Sequence, residues 1–309
     1  MQAIGAAAQK ARHVTVLRSF LFVPGDSEKK LSKADGAQSD ALILDLEDAV
    51  TAPNKVQARN LVVEYLKDRP KGRRTSEIWV RINPLDTELA LVDLAAVVAV
   101  APDGLMLPKA NGPDDVLKLS HYLDALEAQA GVRAGAIKIL PVATETAVSP
   151  FRLGDYATAH LARLLGLTWG AEDLATALGA ATNLGPDGQW ALTFQMVRSM
   201  TLLAAHAAGV QAIDTLYVDF RDEEGLNASC RASRAEGFTG RIAIHPAQVA
   251  VINAGYLPSL QEIEHAKRVI AAFESADGAG TVALDGKMID IPHRKQAERV
   301  LAQASAITR

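Results

Sequence analysis

Cysteine is almost absent: Cys230 is the single one in 309 residues. One thiol makes no internal disulfide and no cysteine-based zinc site. A disulfide scaffold and a zinc module are therefore excluded, and a reducing, cytoplasmic compartment is expected. An excess of charge of one sign is lacking too. Lys and Arg number 32 against 36 Asp and Glu, a formal charge of −4. So even a mixture draws neither nucleic acid nor anionic membrane, and neither is expected as a partner. Long apolar runs are missing: Leu94–Pro102 is among the longer ones, well short of the roughly 20 residues of a membrane helix. Repeats, low-complexity tracts and an interdomain linker are absent as well. Residues Met1–Thr15 hold Lys10, Arg12 and His13 with no acid and no apolar secretory core. Residues 1–17 therefore read as a flexible N-terminal extension, with a short organellar presequence as the alternative.

What is present is ordinary globular material, 49% hydrophobic and 22% charged, long enough for a large core. Eight short apolar runs alternate with amphipathic stretches: Arg18–Pro24, Ala41–Leu46, Ile78–Ile82, Gly104–Pro108, Ile137–Val142, Leu164–Trp169, Asp214–Val218 and Arg241–Ile244. Runs of this kind read as buried parallel strands. Between them, Glu28–Gln38, Ala58–Lys67, Pro113–Ala130 and Thr193–Ala208 have helical spacing. The unbroken alternation predicts an α/β fold, a (β/α)8 TIM barrel over 18–275, with a doubly wound open sheet as the runner-up. The small, Gly-rich Ala276–Gly280 followed by Met288–Ile307 predicts a C-terminal helical extension over 276–309. It reads as a lid or an arm onto a neighbouring subunit, which favours a homo-oligomer, most simply a trimer or a dimer of trimers.

In a barrel the chemistry sits past the C-terminal ends of the strands. Five of the eight ends carry an acid: Asp26, then Asp45-Leu46-Glu47-Asp48, Glu145, Glu172-Asp173 and Asp219. Converging carboxylates with no cysteine and one nearby histidine, His245, suit a hard cation bound through oxygen. Mg²⁺ is expected, with Mn²⁺ as the alternative. Glu145 and Asp173 end adjacent strands and can share one ion. Arg81 ends an apolar strand, where a guanidinium can hold a carboxylate or enolate oxygen in two bonds or pair with Glu47 or Asp48. Lys29 and Lys33, with Lys30 close by, lie on one face of a helix at the barrel mouth and can meet phosphates. Lys109 raises the question of a Schiff base, an assignment its place beside Pro108 disfavours.

Taken in order, these stretches resemble the citrate lyase beta-subunit family of the HpcH/HpaI aldolase group. The residues that carry the resemblance are Arg18-Ser-Phe-Leu-Phe-Val-Pro-Gly25, Leu44-Asp-Leu-Glu-Asp-Ala-Val50 with Pro53 and Lys55, Val80-Arg-Ile-Asn83, Met106-Leu-Pro-Lys109, Glu145-Thr-Ala147, Trp169-Gly-Ala-Glu-Asp-Leu174 and Ile244-His-Pro246. Gln211–Asp222 and Gly237-Phe-Thr-Gly240 look most like the stand-alone CoA-ester lyases. The resemblance implies a Mg²⁺-dependent TIM-barrel lyase. It would cleave citramalyl-CoA, malyl-CoA or citryl-CoA to acetyl-CoA and an α-keto acid by a retro-Claisen step. It further implies Glu145 and Asp173 as metal ligands, Arg81 as the substrate-carboxylate and enolate arginine, and Glu47 and Asp48 as an acidic pair near the metal's waters. Phe22, Lys29, Lys33, Val218 and Asp219 would meet the CoA ester, and Asp290 would act as acid/base in a neighbouring subunit's site. The alternatives are the beta subunit of a multi-subunit citrate lyase acting on an acyl-carrier-protein thioester, a metal-dependent pyruvate aldolase, and an inactive barrel serving as a binding partner.

Overall fold

Alternation along short strands decides which side chains fill the centre of the molecule. The computed structural model describes residues 16–276 and 278–307; the expected extension lies outside the described residues over positions 1–15. Among the described residues no helix is long and apolar enough to cross a membrane.

Eight strands run parallel: β1 (Ser19–Pro24), β2 (Ala41–Asp45), β3 (Glu77–Arg81), β4 (Gly104–Leu107), β5 (Lys138–Pro141), β6 (Gly166–Thr168), β7 (Gln211–Asp214) and β8 (Gly240–Ala243). The sheet order is β5-β4-β3-β2-β1-β8-β7-β6. The last seam, between β5 and β6, is closed by parallel bridges Ile139 to Leu164 and Val142 to Thr168. The result is a closed TIM barrel and not an open sheet. Side chains at every second position point inward. Phe20, Ala41, Ile43, Trp79, Met106, Leu140, Ile213 and Ile242 form the inner core. The intervening positions, among them Leu21, Leu42, Leu44, Ile78 and Leu105, pack outward in a second, larger core. Trp79 fills the barrel centre because Gly104 stands opposite it: a Cβ on Gly104 would lie 2.1 Å from the indole ring.

The helices of the barrel are α1 (Glu28–Ala34), α2 (Lys55–Lys67), α3 (Glu88–Val97), α4 (Pro113–Ala130), α5 (Ala171–Leu178), α6 (Leu192–Ala207), α7 (Glu223–Glu236) and α8 (Ala247–Gly255). After β5 a 3-10 segment, Ser149–Ala157, takes the place of a full α-helix. The seventh strand was expected at Asp214–Val218 and forms instead at Gln211–Asp214. The residues after it leave the sheet in a turn that Tyr217 fastens by donating its hydroxyl to Asp222 at 2.6 Å. Leu17, read as part of the extension, is buried, and its backbone N–H donates to Gln211.

The chain divides into two units, Leu17–Tyr256 and a second beginning at Leu257. The second contains α9 (Leu260–Ser275), a hairpin of β9 (Thr281–Leu284) and β10 (Lys287–Asp290), and α10 (Ile291–Ile307). Its own core joins Ala266, Val269 and Phe273 of α9 to Ile289 and Ala297. The helix Leu260–Ser275, read as barrel up to residue 275, thus packs with the tail, because its apolar face finds its partners there. Ser259 and Glu262 cap it reciprocally.

Candidate active site

The inward parity that fills the barrel also sets what stands at its C-terminal end. One step beyond Phe20, Ile43 and Trp79 come Phe22, Asp45 and Arg81. Arg81 donates from Nε to Asp45 Oδ1 at 2.7 Å and from Nη2 to Oδ2 at 2.6 Å. Asp45 is 1% exposed and also accepts the backbone N–H groups of Glu47 and Ala49. Both the guanidinium and the loop after β2 are therefore fixed by one carboxylate. The guanidinium lies over the Phe22 ring, 4.6 Å from its centroid. Its Nη1 is 3.0 Å from Glu47 Oε2, a close ion pair without hydrogen-bond geometry, so Oε2 is a buried oxygen with no hydrogen-bond donor. Burial raises the Glu47 carboxyl above its ordinary range, against the pull of Arg81 and Lys109.

Lys109 follows β4 and occupies the left-handed region, φ 51°, a strained conformation for a side-chain-bearing residue. Its backbone N–H donates to Glu145 Oε2 at 2.7 Å. Its ammonium pairs with Glu47, with Asp48 at 3.1 Å and with Asp173 at 3.5 Å. Burial would lower its pKa; the bond to Glu47 overcomes this and raises it. A lysine held charged in this way is no Schiff-base nucleophile. It is a fixed cation that gathers three acids. Asp48 is held below the ordinary range, burial being outweighed by its bond to Lys109.

Glu145 is 7% exposed, and burial pushes its carboxyl up to about 8, with Asp173 and Glu47 adding to the effect. A Cβ on Gly170 would lie 3.0 Å from its Oε1, so a larger residue there would press on this carboxylate. Asp173 stands in the first turn of α5. Asp45 is neutralised by Arg81, and Lys109 is shared among Glu47, Asp48 and Asp173. Glu145 thus remains short of positive charge, the condition a bound cation would relieve. Among the described residues no group of three or more His, Cys, Asp or Glu is placed to hold a metal. The pair Glu145 and Asp173 nevertheless suits Mg²⁺, which takes one or two protein carboxylates and completes its shell with water and substrate oxygens.

Two clefts meet here. The smaller, about 190 Å³, is lined by Glu145, Asp173, Arg81, Trp169 and an apolar wall. Trp169 is oriented by Asp214, which accepts its Nε1–H at 2.7 Å. Burial would push the Asp214 carboxyl up, and Arg241 and Arg198 hold it well below the usual range. The larger cleft, about 640 Å³, is edged by Lys29, Lys30, Lys33 and His245. Phe22, Arg81 and Leu216 line both. His245 stacks on Phe220 with centroids 4.6 Å apart, and its Nδ1 accepts the Ala247 N–H.

The structure thus gathers Phe22, Lys29, Lys33, Glu47, Asp48, Arg81, Glu145 and Asp173 at one end of the barrel. Val218 and Asp219 line neither cleft; with β7 ending at Asp214 they lie out on the following loop, Val218 63% exposed. Asp290 ends β10 in the second unit, its Oδ1 2.5 Å from His293 Nδ1, and that bond holds its carboxyl below the ordinary range. Asp45 and Lys55 were not singled out as site residues. Lys55 Nζ donates to the carbonyls of Leu46 and Glu47 at 2.7 Å and to Asn83 at 2.8 Å. It pins the loop that carries Glu47, and the signal available was its place five residues after Val50 in the matched stretch.

Comparison with known proteins shows what the chain as a whole is similar to. The family model described as HpcH/HpaI aldolase/citrate lyase matches residues 18–246, and a model described as C-C bond lyase of the TIM-barrel fold matches 193–308. A (3S)-malyl-CoA thioesterase of Cereibacter sphaeroides is 40% identical over 292 residues, 94% of this chain and 95% of the relative. The mitochondrial citramalyl-CoA lyase of Mus musculus is 35% identical over 300 residues, 94% and 86% of the two chains. The crystal structure of CitE from Mycobacterium tuberculosis in complex with magnesium, acetoacetate and coenzyme A superposes with a TM-score of 0.78 at 33% identity. It covers 94% of this chain and 100% of that one.

Proposed function

This chain belongs to the HpcH/HpaI aldolase/citrate lyase family, and from that membership we propose that it is a Mg²⁺-dependent lyase. It cleaves a 3-hydroxy-3-carboxyacyl-CoA to acetyl-CoA and an α-keto acid. One observation carries the reading: the small acidic cleft and the large lysine-edged cleft share Phe22, Arg81 and Leu216. A hydroxy acid held beside Glu145 and Asp173 therefore has its thioester arm directed past Arg81 into the larger cleft. Among the described residues Lys29, Lys30 and Lys33 have no carboxylate partners, and they are free to meet the phosphates of CoA. Val218 and Asp219 have no role in this reading.

Glu145 and Asp173 would hold the cation, which when bound acts as a Lewis acid on the substrate's hydroxyl and adjacent carboxylate oxygens. Glu47, a carboxylate made more basic by burial and with no hydrogen-bond donor on Oε2, takes the hydroxyl proton. The bond between the α-carbon and the hydroxyl-bearing carbon breaks. The latter becomes the keto carbon, and the electron pair passes to the thioester enolate. Arg81, immobilised by Asp45, stabilises the oxygen on which negative charge develops. Lys109 holds Glu47 and Asp48 in place. Asp290 of the second unit, acting from a neighbouring subunit of a homotrimer, supplies the proton to the enolate carbon. It removes that proton in the reverse direction, and the contact with His293 orients its carboxylate.

The 40% identical relative named as a thioesterase favours one second reading, hydrolysis of the thioester. Product analysis separates the two. Citramalyl-, malyl- and citryl-CoA are offered to purified protein with Mg²⁺, and the products are resolved by chromatography. Acetyl-CoA with an α-keto acid is expected. Free CoA with the intact hydroxy acid establishes the hydrolase instead, and no product from any of them favours a carrier-protein thioester.

A further inference from the structure

Asp93 stands on the inward face of α3 with Ala90, Leu94 and Val97, and it is fully buried. A carboxylate in such company is costly. Its ion pair with Arg59 adds little that well-packed apolar residues would not. What the acid fixes explains its place better than what it stabilises. Resting on the reading of Glu47 as the base, we propose that Lys55 and Asp93 are positioning residues for it. Acting through Asn83, they hold the two peptide planes that flank Glu47 and so aim its carboxylate.

The outer end of this clamp is charged. Arg59 of α2 donates from Nε to Asp93 Oδ1 at 2.8 Å. Asp93 Oδ2 accepts the backbone N–H of Asn83 at 2.9 Å and its Nδ2 at 2.6 Å. The other end of the Asn83 amide, Oδ1, accepts from Lys55 at 2.8 Å. An amide between an acid and an ammonium has one stable orientation, since the reverse sets oxygen against carboxylate and N–H against cation. Asp93 thereby decides where the oxygen that receives Lys55 lies.

Lys55 is the inner end. Its ammonium has three N–H groups and three acceptors: Asn83 Oδ1 and the carbonyls of Leu46 and Glu47, the last two both at 2.7 Å. No N–H is left for a substrate or a carboxylate. The Leu46 carbonyl belongs to the peptide before Glu47, and the Glu47 carbonyl to the one after it. Asn83 Nδ2 holds the first of them as well, at 3.1 Å. With both planes held, the backbone dihedrals of Glu47 are fixed and its side chain leaves toward Arg81 and Lys109. Those two cations hold the carboxylate; Lys55 holds the frame from which it projects. Misplacing a reacting group by about 1 Å can cost about 100-fold in rate.

A double-mutant cycle separates aiming from general support. Lys55→Met, Glu47→Gln and the double variant are assayed with Mg²⁺ on whichever of citramalyl-, malyl- and citryl-CoA the native chain cleaves. Lys55→Met should lower kcat by about 100-fold with KM little changed. In the Glu47→Gln background the same substitution should cost almost nothing more. Losses that multiply, an unchanged kcat, or a raised KM at constant kcat each overturn the proposal. Hydrogen–deuterium exchange tests the clamp without turnover. The amides of Glu47, Ala49 and Val50 should exchange at least about tenfold faster in Lys55→Met and in Asp93→Asn, as loss of a charged hydrogen bond requires; unchanged exchange in either removes that residue from the clamp. Lys55 is only half-buried, so Lys55→Met tests the clamp even where Asp93→Asn does not fold. If exchange quickens while the native chain cleaves none of the three esters, the lyase reading fails and the clamp stands.

Discussion

In the proposed reading Glu145 ties a cation to the fold through one side chain. Its carboxyl, pushed up to about 8 by burial and by neighbouring acids, binds a proton more tightly in the folded chain than in the unfolded one. The stability this lends the metal-free protein is full below the ordinary glutamate range and is lost as pH rises through about 8. A cation binds the carboxylate only, so its apparent affinity should rise about tenfold per pH unit up to about 8 and then level off. Thermal unfolding at pH 6 and pH 8.5, with and without Mg²⁺, should therefore show the larger stabilisation at the higher pH. Equal stabilisation at both would separate Glu145 from the metal. The residue types at this site were legible because acids at strand ends are conspicuous. The partnerships were not: Arg81 and Asp45 meet across 36 residues of sequence, and nothing in their local spacing announces two bonds. Lys109 was read for its nucleophile and not for its charge, since only the folded strands show three acids around it.

At the scale of elements, a strand end is a chemical position because of parity. The alternation that puts Trp79 at the barrel centre puts Arg81 at its mouth, and Gly104 makes room for the indole. Gly104→Ala should cost about 1–3 kcal/mol or more through overpacking, read as a lowered midpoint in urea; an unchanged midpoint would mean the indole has other space to occupy. Helix α1 presents Lys29 and Lys33 to the larger cleft. Replacing both by Ala should raise KM for a CoA ester several-fold and leave a phosphate-free pantetheine ester unaffected. Equal effects on the two esters would remove the phosphate assignment. Seven strands were legible to within a residue or two from their apolar runs. The seventh was not, because Leu216-Tyr217-Val218 has stronger strand chemistry than Gln211-Ala212-Ile213, and only the pairing with β6 and β8 chooses between them.

For the whole molecule, the sequence makes the barrel legible through its eightfold alternation and leaves the closing seam to the structure, where Leu165 N–H donates to the Ile139 carbonyl at 2.9 Å. The second unit was legible as helices and a joint. Its beginning at Leu257 was not, because the apolar face of α9 looks the same whether it covers a barrel or the tail. What the whole fold achieves is to bring strand ends spread from Pro24 to Ala243 into one ring, where an arginine, a lysine and a surplus of carboxylates stand beside the larger cleft, the setting of the proposed cation site. The most direct test is the rate of acetyl-CoA release as a function of Mg²⁺ for the native chain and for Glu145→Gln. The native rate should saturate with Mg²⁺, vanish on chelation and return on re-addition. The variant should fall by about 100-fold or more, as loss of a Lewis acid worth several kcal/mol requires. Release that persists through chelation, or a variant as active as the native chain, would contradict the account.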